Sequence, residues 1–98
     1  MKITADIRVQ PVKFTTSASK MVAGHKAAFE AAGVSALPHA MGLNVQGEAG
    51  TVLGVLREIL AAMHSDGLER AYTSITIESR ADAPPSIQEK IKSIQAAG

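Results

Sequence analysis

Residues 34–48 read VSALPHAMGLNVQGE, and the reading of this stretch decides the fold. Strands in globular proteins mostly run 3–10 residues, so the stretch is too long for one flat strand. PHAMG in its middle carries bend signals, a Pro followed four residues later by a Gly. The stretch is therefore read as a hairpin, with a short strand near 34–38, a bend, and a second strand near 42–48. In the second strand Leu43 and Val45 point one way, while Asn44, Gln46 and Glu48 point the other.

Working outward, Met21, Val22, His25, Ala28, Phe29 and Ala32 recur at helical spacing before the hairpin. They predict a helix over about 18–32, entered through the Ser/Thr-rich TTSAS and closed by Gly33. Upstream, Ile3, Ala5, Ile7 and Val9 alternate with Thr4, Asp6, Arg8 and Gln10, a half-buried strand ended by Pro11. Beyond the hairpin, Val52, Leu53, Val55, Leu56, Ile59, Leu60 and Met63 predict a second helix over 51–65, stopped at Gly67. RAYTSITIESR (70–80) is a last strand, with Thr73, Ile75 and Ile77 on one face and Tyr72, Ser74, Thr76 and Glu78 on the other. After ADAPP, Ser86 and Glu89 form a capping box, and Ile87, Ile91 and Ile94 form a narrow helical stripe.

The order is β-α-β-β-α-β with a terminal helix. The predicted fold is α+β, a ferredoxin-like sandwich with a four-stranded antiparallel sheet and an extra C-terminal helix. Two helices cover one sheet face. The other is polar, with Thr4, Asp6, Arg8, Gln10, Asn44, Gln46, Glu48, Ser74, Thr76 and Glu78. Only the terminal helix, a second subunit or a ligand is left to cover it.

Composition narrows the function. A chain of 98 residues suits a single domain, 1–98. Phe14, Phe29 and Tyr72 are its only aromatics, so the core is thin and aliphatic, and self-association is a source of added stability. The net charge is +1 and the basic residues are scattered, without a stripe or stacking platform for nucleic acid. With no cysteine, disulfides, thiolate metal sites and cysteine nucleophiles are excluded. No apolar run approaches the ~20 residues of a membrane helix and the first residues lack a leader's apolar stretch, so a cytoplasmic protein is expected.

The three histidines, His25, His39 and His64, match no metal-ligand spacing. His25 and His64 read as ordinary helix residues; His39 stands at the bend, within reach of a cleft. Ser17 and Ser19 cap the first helix or bind an anion at its start. No nucleophile–base pair stands out.

Four segments together resemble a known family. They are the first strand ending in Pro11, SASKMV (17–22), HAMGLNVQGE (39–48) and GLERAYTSITIESR (67–80). The chain resembles the YkoF-like thiamine-binding protein family over about residues 2–95. Where that family usually has Pro, Thr and Glu, this sequence has Ala40, Leu43 and Gln46. A neutral Gln46 attracts a thiazolium less than a carboxylate would. The resemblance implies a non-enzymatic protein with no cofactor, whose ligand is thiamine or its hydroxymethylpyrimidine moiety. It also implies a homo-oligomer, dimers joining into tetramers through their sheets. A flat ring needs apolar walls and a few placed polar groups. Met41 and Leu43 are candidate walls. Ser17, Ser19, His39, Asn44, Gln46 and Thr73 are candidate polar contacts. Two other readings remain open at this point: an oligomeric interaction module without a small ligand, and an enzyme acting on a phosphate ester through Ser17 or His39.

Overall fold

Alternation in the first residues becomes strand β1 (Lys2–Pro11), and the helical spacing that follows becomes α1 (Ala18–Ala31). The hairpin comprises β2 (Ser35–His39) and β3 (Gly42–Glu48), with the turn at Ala40 and Met41. Then come α2 (Ala49–Ser65), β4 (Ala71–Ser79) and α3 (Ile87–Ala97). This computed structural model describes residues 1–98. The ferredoxin-like fold read from the sequence is the observed one.

The sheet order is β2-β3-β1-β4, with all neighbours antiparallel. Pairing of Ile3 with Gly47, Ala5 with Val45 and Ile7 with Leu43 puts the apolar positions of β1 and β3 on one face. Phe29 of α1 and Val52, Val55, Leu56, Ile59 and Met63 of α2 close over them as one buried cluster. Burial of these side chains drives the folding.

The helix ends follow the sequence signals. Ser17 Oγ accepts the Lys20 amide at 3.2 Å, and the Ser86–Glu89 capping box forms in both directions. Gly33 and Gly67, at φ +80° and +106°, carry the chain out of α1 and α2 through the left-handed region. His64 donates from Nδ1 to the Leu68 carbonyl at 2.7 Å.

Three differences refine the expectation. Helix α2 begins at Ala49, directly after β3, with Glu48 as its N-cap residue. Leu53, expected on its inner face, is exposed, so the apolar stripe is narrower than its composition suggests. And the polar sheet face is partly covered by α3. Gln46 on that face is only 4 % exposed; its amide nitrogen donates to Thr4 Oγ1 and to the Pro85 carbonyl, each at 2.9 Å. Lys90 of α3 reaches Glu78 of β4 at 2.8 Å. The isoleucine stripe docks less and less along the helix: Ile87 is buried, Ile91 half-buried and Ile94 71 % exposed. No helix is long and apolar enough to cross a membrane.

Candidate functional site

Between the hairpin bend and the first half of α1 lies a cleft of about 540 Å³, within the usual range for small-molecule sites. Its position follows from the topology. Helix α1 crosses the helical face of the sheet from the end of β1, and the β2–β3 bend returns to that same end. The floor is Ile7 and Val9 of β1; Leu56 and Ile59 of α2 close the back. One wall is Met21, Val22, His25 and Phe29 of α1, with Ser19 near the helix start. The other is the bend itself, from Pro38 to Leu43.

The bend is held by a single imidazole. The Met41 amide donates to His39 Nδ1 at 3.1 Å. That nitrogen must therefore accept, which places the ring proton on Nε2. Nε2 in turn donates to Asp6 Oδ1 at 2.6 Å. Arg8 Nε lies 3.8 Å from the other Asp6 oxygen. Gly42 permits the close approach: a Cβ there would sit 2.5 Å from the Ile7 carbonyl oxygen and 3.4 Å from the His39 ring.

The polar groups of the lining are few. Lys26 is its only fully charged side chain, and no carboxylate belongs to it. His25 is held below the ordinary histidine pKa by burial, so it is neutral at pH 7 and offers one donor and one acceptor. The cleft suits a flat, uncharged ring with hydrogen-bonding edges. Drawing a cation into it would carry a desolvation cost with no carboxylate to offset it.

Of the residues singled out in the sequence, Ser19, His39, Met41 and Leu43 line this cleft. Ser17 is engaged in capping α1. Thr73 faces the helical side from β4, paired with Val9, one strand beyond the lining. Asn44 and Gln46 pair with Asp6 and Thr4 on the polar face, with the sheet between them and the cleft. His25, Lys26 and the apolar residues of α1 and α2 were not singled out as site residues. Their signal was present in the shared spacing of Met21, Val22, His25 and Phe29, which marks the inward side of α1.

A model of a family described as "Thiamine-binding protein" matches residues 5–95. The UPF0045 protein sll0230 of Synechocystis is 28 % identical over 95 residues, spanning 97 % of this chain and 78 % of that protein. A hypothetical protein of Methanocaldococcus jannascii superposes with a TM-score of 0.79 at 24 % identity, over 96 % of each chain. A putative thiamine biosynthesis/salvage protein of Thermotoga maritima superposes at 0.76 and 17 % identity, over 96 % of this chain and 99 % of its own. The two superpositions bear on the fold alone.

Proposed function

The chain belongs to the thiamine-binding protein family, and from that premise we propose that it binds thiamine, or the hydroxymethylpyrimidine part of it, without turning it over, as a homo-oligomer. The observation that carries the reading is the cleft, apolar on most sides and supplied with a few neutral polar groups. The aminopyrimidine ring lies between the α1 wall and the bend. Its donor and acceptor edges meet the His25 imidazole and the Ser19 hydroxyl, and Met41 and Leu43 pack on its faces. The charged thiazolium gains nothing from Lys26 and stays toward solvent. The bound molecule is a ligand and not a catalytic cofactor.

Calorimetric titration with thiamine and with hydroxymethylpyrimidine tests this. Saturable binding of the pyrimidine, at least as tight as that of thiamine, is the expected result, with the ligand recovered unchanged. Absence of heat with both compounds, or their chemical conversion, refutes the reading. His39→Ala should weaken binding even though the ring is held by other residues, because it frees the bend.

A further inference from the structure

We propose, resting on the pyrimidine reading above, that the cleft selects among pyrimidines by the charge on their exocyclic carbon, and that the ligand it favours is the phosphate monoester of hydroxymethylpyrimidine, its phosphate held by Lys26. Thiamine, the free alcohol and the ester share one ring and one exocyclic carbon. In thiamine that carbon carries a thiazolium cation, and in the alcohol a neutral hydroxyl. In the ester it carries a phosphate, with a charge of about −1.5 to −2 at pH 7. The three molecules therefore differ at a single position, and they differ there in sign.

The cleft has both the room and the sign for the anion. At about 540 Å³ it takes more than a lone ring. Ile7, Val9, Leu56 and Ile59 fill the floor and back, so whatever the ring carries leaves by the open mouth. Lys26 stands there. It lines the cleft, yet 37 % of its side chain stays in water, the posture of a lysine whose stem follows the wall and whose ammonium sits at the rim. Ser19 and Lys26 are two turns apart on one side of α1, about 11 Å along its axis. That spacing accommodates a six-membered ring and the short arm that bears the phosphate. No carboxylate belongs to the lining, and burial keeps His25 uncharged at pH 7, so the ammonium alone sets the sign at the mouth. Its partner is Glu30, 2.9 Å away, one turn further along α1 and half-exposed. Ion pairs of that kind are weak. A phosphate brings more charge than a carboxylate and three acceptor oxygens, so it competes for the same ammonium without any change of backbone. A thiazolium in its place meets the lysine's repulsion, and Glu30 is already neutralised by that lysine.

Calorimetric titration with the ester, the alcohol, thiamine and inorganic phosphate alone tests this. The expected order is ester, then alcohol, then thiamine, with the ester ahead of the alcohol by roughly tenfold or more, as for a hydrogen bond to a charged group. Added salt should shrink that ratio. Lys26→Gln should bring the ratio toward one, and Glu30→Gln, which frees the ammonium, should raise it. Lys20→Gln makes the same change of charge on α1 outside the cleft and should leave the ratio where it is. Circular dichroism reports the fold of each variant, and a ratio of two affinities within one protein does not depend on how much of it is folded. Equal affinity for ester and alcohol, or a ratio that survives Lys26→Gln, overturns the phosphate assignment and leaves the pyrimidine reading standing. Inorganic phosphate that binds as tightly as the ester overturns it as well, since the ring then contributes nothing. No heat with ester, alcohol or thiamine overturns both.

Discussion

Three residues set the behaviour of the cleft. At Gly42 an added methyl group has no room, since its place is 2.5 Å from a backbone oxygen that belongs to the central strand. Gly42→Ala is expected to cost about 1–3 kcal/mol through overpacking, read as a lower urea midpoint with an unchanged slope. His39→Ala removes two hydrogen bonds but leaves the core intact. At about 0.5–1.5 kcal/mol for each hydrogen bond, ligand affinity should fall up to roughly a hundredfold in calorimetry, with the secondary structure retained. His25 makes the protein sensitive to acid. Burial lowers its pKa in the folded state below the 6.5 of the free side chain. Between those two values the unfolded chain binds more protons, so stability rises with pH there and falls as the pH drops from 6.5. His25→Gln should flatten that part of a stability profile measured by denaturation between pH 5 and pH 7.5.

At the scale of elements, the sequence was legible wherever a period was unbroken. Period two in β1 and β3 and helical spacing in α1 and α2 are consequences of burying one face, so the strands and helices could be read directly. The partner of α3 could not. A stripe of Ile87, Ile91 and Ile94 says that a helix must dock, not where, and the answer lies in a Gln46 contact 39 residues away. The cleft was legible in part for a similar reason. Strand parity placed Asn44 and Gln46 on the polar face, yet polarity alone suggested a site there. The residues that line the cleft come from five elements and are mostly apolar, which in sequence looks like ordinary core. Helix α3 offers its own test. Gln46→Ala leaves Thr4 Oγ1 and the Pro85 carbonyl without that donor, a loss of about 1–3 kcal/mol when such groups stay buried. Amide exchange should then quicken over residues 85–97 before it does in the sheet.

Taken whole, the molecule is a sheet with two helices on one side and a third on half of the other. A helix with its side chains is about 10–12 Å thick, and packed sheets stand about 10 Å apart. Two copies placed back to back therefore cannot lie flush like the pages of a book. The end of the polar face at Asp6, Arg8 and Ser74 lies beyond the contacts made by Pro85 and Lys90, and its side chains are half-buried or exposed. That end is also where one carboxylate reaches through His39 to the rim of the cleft. A neighbour that seized Asp6 would let go of the bend, so crowding on one side of the slab would be felt as slackness on the other.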